Sequence, residues 1–436
     1  MSLDGHVGRS NIDASAEPAV KSPSSDGETA LMLAAARGDV AEVRRHLNEC
    51  GRRDASGRTA LMYAAKNGQT EAIKVFLEHE KRIRDNQNYN ALYHALKSGH
   101  METAKIILPH EDPTDENGTT ALMRAAARGD AEMVELLAPL QKEMKDKNEN
   151  TALVLAAKAR HTNIVEILDP TDEDGVTALM RATDRNDVEG VRALIPLQRG
   201  RRASGEVKIN GRYICKGTAL MRAAAHGYAK IVELLVEHEG GARASGWPAL
   251  MFAAQCDRPN HRLADPFVDH PKCVELLVES EGSISRWTEL MHAAYRGDGD
   301  AVRNNLHMQG SRDVGGWTAL MYAAAQGHEE IIELLREEGG MMNNDRQTAL
   351  MWAARNGHPG CVRLLLEKEG CMQTAKGWTA LMNAAYGNNV ECARLLSEKE
   401  KDIKLTHGCH NYPPGTTAFD IAKRKNYNEI ASFLSG

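Results

Sequence analysis

The tetrapeptide Thr-Ala-Leu-Met occurs eight times, beginning at Thr29, Thr59, Thr120, Thr177, Thr218, Thr318, Thr348 and Thr379. Five degenerate copies begin at Asn90, Thr151, Pro248, Thr288 and Thr417, giving thirteen in all. Successive starts are 30, 31, 30, 31, 26, 41, 30, 40, 30, 30, 31 and 38 residues apart, so nine of the twelve intervals fall between 26 and 31. A sustained period of this length marks one supersecondary unit repeated along the chain. It sets aside the two or three globular domains that a 436-residue chain would otherwise suggest, since single cores stop growing near ~250–300 residues.

Each unit reads as two short helices. The hydroxyl of Thr29 is suited to capping the free N–H groups of a helix start. Leu31, Ala34 and Ala35 follow at i, i+3 and i+4, one apolar helical face. Gly38 then supplies the left-handed residue that ends a helix. A second helix is clearest at Ile231, Leu234 and Leu235, again at i, i+3 and i+4. The Ala-Ala pair lets neighbouring helices approach closely. No unit can bury its apolar face alone, so stacking must supply the core. The expected fold is an all-α solenoid of about thirteen helix-turn-helix repeats over residues 28–436.

The pattern resembles the ankyrin repeat. A full copy reads Thr318-Ala-Leu-Met-Tyr-Ala-Ala-Ala-Gln-Gly-His-Glu-Glu-Ile-Ile-Glu-Leu-Leu. The family's usual Thr-Pro-Leu-His opening is altered: Ala stands for Pro and Met for His. Packing by Met32, Met62, Met123 and their equivalents is expected in place of the family's Thr–His network. The period is also shorter than the family's, after the second helix, which implies short β-turn fingers. The Thr-Ala-Leu-Met dialect looks like the Protein 21.1 ankyrin group of diplomonad parasites. The resemblance implies protein–protein interaction by a non-catalytic scaffold or adaptor. Alternatives are a regulatory subunit or inhibitor of an enzyme and a structural linker in a cytoskeletal assembly.

Three segments break the period. Residues 198–216 contain Glu206-Val-Lys-Ile-Asn-Gly-Arg-Tyr-Ile-Cys215, which alternates around Asn210-Gly211 and signals a β-hairpin. Residues 255–272 carry Pro259, Pro266 and Pro271 and read as a loop. Residues 401–416 contain His407-Gly-Cys-His-Asn-Tyr-Pro-Pro-Gly415, and the last unit departs from the template as a cap should. Residues 1–27 are rich in Ser, Asp, Gly and Ala without periodicity and read as a disordered tail.

The formal charge is −6, which argues against nucleic acid as a partner. There is no apolar run of ~18 residues, so no membrane insertion is expected. The first 27 residues lack the apolar core of a secretory signal. The eight Cys include no CxxC pair and read as reduced thiols. A cytoplasmic, cytoskeleton-associated monomer with no cofactor is the expectation. Cys256, His261, His270 and Cys273 could be assembled into a zinc site, as could His407, Cys409 and His410. Cys273, however, shares its phase with Ile231, Cys361 and Cys392, a core position, and no metal site is expected. No phosphate-binding or nucleophile motif occurs, and no catalytic residue is assigned.

The strongest functional signal is the first-helix face opposite the core. Offsets +4, +7 and +8 from each Thr lie roughly 200° from the core offsets +2, +5 and +6. In ankyrin-like stacks this face lines the concave groove. Repeats one to seven place Arg37, Lys66, Lys97, Arg124, Arg128, Lys158, Arg181, Arg185 and Arg222 there, with Asp184 as the one acid. Repeats eight to twelve place Phe252, Tyr295, Tyr322, Trp352 and Tyr386 there, with Arg296 and Arg355. Arg124, Arg181 and Arg222 are therefore expected to bind an acidic partner segment, and the aromatic row to supply hot spots. Trp247, Trp287, Trp317 and Trp378 share the phase just before the Thr, where stacking between fingers is favoured. Arg201-Arg202-Ala203-Ser204 looks like a basophilic kinase site, with Ser204 as acceptor. The Glu-rich ends of second helices, Glu237-His-Glu239, Glu367-Lys-Glu369 and Glu398-Lys-Glu400, read as a solvated rim.

Overall fold

A computed structural model describes residues 27–210, 212–255 and 267–435. The N-terminal tail and most of the 255–272 loop lie outside the described residues. The described chain is an all-α repeat solenoid of twenty-six α-helices, two per repeat, with one β-hairpin. It divides into two compact units, Met1–Leu168 and Asp169–Gly436. The first holds repeats one to five and the second repeats six to thirteen. Within each unit, first helices stack on first helices and second helices on second helices.

The repeated tetrapeptide builds the start of each first helix. The Thr29 hydroxyl accepts the Met32 N–H at 3.2 Å, and the Thr29 N–H in turn donates to Met32 Sδ at 3.4 Å. Thr120 and Met123 repeat the arrangement. A thioether thus stands where a Glu or Gln side chain usually closes this reciprocal cap. Met32, Met62 and Met123 are fully buried, so methionine both fills the core and satisfies backbone. Leu31, Ala34 and Ala35 face inward, as do their equivalents.

Seams between repeats are closed by histidine. His358 Nε2 lies 3.0 Å from Ala325 O of the preceding repeat, and His328 Nε2 lies 3.1 Å from Tyr295 O. Each ring occupies space vacated by glycine. A Cβ on Gly327, at φ +85°, would sit 2.5 Å from His358 Nδ1. Glycine there serves both the left-handed helix end and the close approach.

The Glu-rich helix ends correct the sequence reading. Glu237, Glu367 and Glu398 are solvent-exposed, but Glu239, Glu369 and Glu400 are buried. Glu369 accepts the Leu350 N–H at 2.7 Å, a free donor at the start of the first helix in its own repeat. Its other oxygen accepts the Gly340 N–H of the preceding repeat at 2.9 Å. Glu80, Glu239, Glu281, Glu338 and Glu400 make the same pair of bonds with their own neighbours. These carboxylates tie repeat to repeat. Burial pushes the carboxyls of Glu281, Glu369 and Glu400 above their usual range, and the N–H bonds offset this only in part.

Two repeats carry Gln here instead. Gln141 accepts only the Leu122 N–H, and Gln198 the Leu179 N–H. The reason lies one repeat earlier. The second donor is the residue just after the helix cap, such as Gly200 or Gly241. In repeats three and five the chain there reads Asp112-Pro113 and Asp169-Pro170. Proline has no N–H to give. With one donor left, a neutral amide replaces a carboxylate that would be buried half-satisfied.

The expected hairpin is present: Glu206–Ile209 pairs antiparallel with Arg212–Cys215, in the register Ile209 to Arg212. Asn210 turns the chain at φ 45°, and its Nδ2 donates to Ala225 O at 2.7 Å, pinning the hairpin to the adjoining first helix.

Candidate partner-binding surface

Much of the +4 row is committed to the protein's own fingers. In five repeats the finger turns around an Asp nine positions earlier, which accepts backbone N–H groups and meets the +4 side chain. Tyr63 donates to Asp54 at 2.8 Å, and His94 Nε2 lies 2.9 Å from Asp85. Tyr322 donates to Asp313. Burial raises the Asp313 carboxyl above its usual range, although hydrogen bonds from Tyr322, Trp317 and Gly315 oppose the shift.

Arg124 and Arg181 belong to this scheme. Arg124 pairs with Asp112 at 2.5 Å and donates to the carbonyls of Pro113 and Thr119 at 2.8 and 2.7 Å. Arg181 pairs with Asp169 at 2.8 Å and Asp172 at 3.3 Å, and donates to Pro170 O. Both arginines therefore close the Asp-Pro turns described above. Arg222 is 4 % exposed and pairs with Asp184 at 2.5 Å. The guanidinium groups of these three, expected to bind an acidic partner segment, already hold carboxylates of their own unit.

Most of the aromatic row is engaged internally as well. Phe252, Tyr295, Tyr322 and Trp352 are buried. They interlock with the Trp row: Trp287 stands 4.5 Å from Tyr322, and Trp317 stands 4.9 Å from Tyr322 and 4.5 Å from Trp352, ring centre to ring centre. Side chains buried between finger and helix cannot be exposed anchors. Tyr386 alone of the row is half-exposed. Its ring has Lys425 Nζ at 3.6 Å and the Arg355 guanidinium at 5.9 Å, and Arg355 also lies 5.6 Å from Trp352.

The charged side chains at offsets +7 and +8 of the first unit face outward. In the first unit Arg37, Lys66, Lys97, Arg128 and Lys158 are exposed. Lys97 pairs with Glu132 at 2.6 Å and Lys158 bonds Asn150 Oδ1 at 2.6 Å. Arg37, Lys66 and Arg128 make no ion pair among the described residues. In the second unit a cleft of about 460 Å³ opens beside the fingers around Asn344 and Lys376, with Arg355, Trp378 and His410 in its wall.

The other sequence candidates fall as follows. Cys256 and His261 lie outside the described residues. His270 is 2 % exposed, and burial together with the charge of His226 lowers it to about 4. Cys273 is fully buried, which pushes its thiol up to about 12. Both are core groups. His407 Nδ1 lies 3.0 Å from Thr406 Oγ1, while the His410 ring packs edge-on against Trp378 at 5.1 Å. No group of three His, Cys, Asp or Glu side chains among the described residues could hold a metal ion. Ser204 is exposed, but its N–H donates to Asp174 O at 2.6 Å and its hydroxyl lies 3.5 Å from Glu173 O. The segment is thus tied by these bonds beside two acidic residues. Arg202 is spent on Arg243 O. No helix among the described residues is long and apolar enough to cross a membrane.

A family model for ankyrin repeats, built from three copies, matches residues 9–87, 77–148, 122–203, 201–286, 290–376 and 368–436. Repeats of this kind generally mediate protein–protein interaction and are typically non-catalytic. No curated protein matches the sequence, and nothing supports the finer resemblance to the Protein 21.1 group. With helix pairs, fingers and inter-repeat seams in place and the family model matching nearly end to end, the chain belongs to the ankyrin-repeat family.

Proposed function

We propose that the protein is a non-catalytic scaffold or adaptor that holds a protein partner along the concave, first-helix faces of its repeats. The observation that carries this reading is the exposed cationic line at offsets +7 and +8 of the first unit, on a chain of net charge −6. The +4 cations are locked by internal carboxylates, while Arg37, Lys66 and Arg128 stand in solvent. Such a line attracts an acidic surface, and attraction of this kind sets association rate and specificity and weakens with salt. The test is affinity capture from the cell of origin with the full chain as bait. The triple variant Arg37→Glu, Lys66→Glu, Arg128→Glu should lose the partner while keeping its melting temperature. Undiminished capture by the folded triple variant would refute the reading.

A further inference from the structure

We infer that the cleft near the C-terminus binds an acidic linear segment of a partner protein, recognised through its carboxylates. The inference rests on the scaffold reading above and assigns it a second, separate contact.

The cleft arises where the period is broken. The interval before the last repeat is 38 residues rather than 30 or 31. The added residues include Cys409 and His410, which wall one end of the cleft. That wall is held firmly. Cys409 and Tyr412 bridge backbone to backbone, Arg424 donates to Asn411 O at 2.6 Å, and the His410 ring rests on Trp378. The wall bounds a half-open cleft of about 460 Å³, room for a short segment rather than a folded domain.

Its lining sets the chemistry. Arg346, Arg355 and Lys376 face one carboxylate, Asp345. Arg346 and Lys376 sit exposed on neighbouring fingers and make no ion pair among the described residues. The guanidinium of Arg355 is steadied between the Trp352 and Tyr386 rings. A guanidinium fixed in this way is pre-organised for a carboxylate. The positive lining is a local exception on a net acidic chain, so it selects for negative charge. The Trp faces are closed off, with Trp352 2 % and Trp378 5 % exposed, so the cleft offers no platform for stacking a nucleobase. The side chains of Asn344, Gln347 and Asn383 complete the lining, each with one amide atom already bonded within the protein, so the cations are left as the groups that recognise a ligand.

The full chain, panned against a displayed library of random decapeptides, should enrich sequences rich in Asp and Glu. Affinity of the enriched peptides, read by fluorescence anisotropy, should fall about ten-fold between about 50 and 300 mM salt. It should fall at least about ten-fold in the double variant Arg346→Glu, Lys376→Glu, whose melting temperature should stay unchanged because both side chains are exposed. Failure to enrich any peptide, enrichment of non-acidic peptides, or full affinity in the double variant each overturns the inference. Phosphoserine in place of each Glu tests the competing anion: tighter binding by more than about ten-fold would make the site a phosphate reader and overturn the carboxylate assignment. Full peptide affinity in the double variant, beside loss of cellular capture in the Arg37, Lys66, Arg128 variant, would leave the scaffold reading standing and remove this one. Loss of capture in the Arg37, Lys66, Arg128 variant, with peptides still bound, supports both.

Discussion

Replacing Glu369 isolates what one buried carboxylate does at a seam. Its two oxygens accept N–H groups from Leu350 and Gly340, on two successive repeats, and the residue is 1 % exposed. In Glu369→Ala both donors are left without a partner in the interior. At about 1–3 kcal/mol per orphaned buried donor, less the relief of no longer burying a charge, the loss should be about 3 kcal/mol. Glu369→Gln keeps one acceptor and removes the buried charge but turns an amide N–H₂ toward the Gly340 N–H, so it should cost about half as much as Ala, about 1–2 kcal/mol. The sign of the pH effect follows from the raised carboxyl of Glu369. A folded-state value above the unfolded one means that the folded protein binds the proton more tightly. The contribution is therefore fully present below the unfolded value of about 4.5 and is lost as pH rises through the folded value. The parent should lose stability relative to Glu369→Gln over that rise. Long arrays need not unfold in one step, so native-state hydrogen exchange at the Leu350 and Gly340 amides, beside urea denaturation, is the suitable assay. Protection of both amides should collapse in the Ala variant, and only that of Gly340 in the Gln variant. A Gln variant as damaged as the Ala variant, or an Ala variant with undisturbed amides, would refute the reasoning.

Tyr322→Ala and Trp352→Ala should lower stability by about 3–5 kcal/mol each, as large interior deletions do, and leave affinity for a captured partner unchanged; a loss of affinity in a variant of undiminished melting temperature would return these rings to the binding surface. Arg181→Glu should place a third carboxylate against Asp169 and Asp172 and destabilise the second unit by about 3 kcal/mol, read by thermal melting. The lowered His270 contributes stability that is present above the unfolded value of 6.5 and lost as pH falls toward about 4; a His270→Gln variant should lose that part of the acid sensitivity, and an unchanged pH–stability profile would contradict it. Ser204→Glu should cost about 0.5 kcal/mol through repulsion by Glu173 and Asp174, seen as a slightly lower melting temperature, and no gain in stability is expected.

The repeat, both helices of each unit and the hairpin were legible because their signals are local. Thr29, Leu31 and Gly38 each act within one helix, and Asn210-Gly211 acts within one turn. The +4 row was misread because its partner lies nine residues upstream in a segment with no periodicity of its own. Asp54, Asp85, Asp115, Asp172 and Asp313 all precede a Tyr, His or Arg by nine, and that recurrence was the available signal. Glu237 and Glu239 look alike in sequence, yet two residues along a helix are about 200° apart. One meets water and the other meets the preceding repeat's backbone, which a single unit read alone does not contain. The cleft depends on how an insertion folds back onto its neighbours, and no spacing in the insertion encodes that.

The Asp-Pro turns give the array a grammar. Asp112-Pro113 is answered one repeat later by Arg124 and Gln141, and Asp169-Pro170 by Arg181 and Gln198. Units that look interchangeable in sequence are thus paired by what their neighbours can donate. A duplication that set a Glu-type unit behind an Asp-Pro unit would bury a carboxylate with one donor missing. A Gln-type unit behind a glycine end would turn an amide N–H₂ toward a backbone N–H. Growth or shuffling of such a protein is constrained never to cut between an Asp-Pro unit and its matched follower, so there the heritable building block is the pair rather than the single repeat.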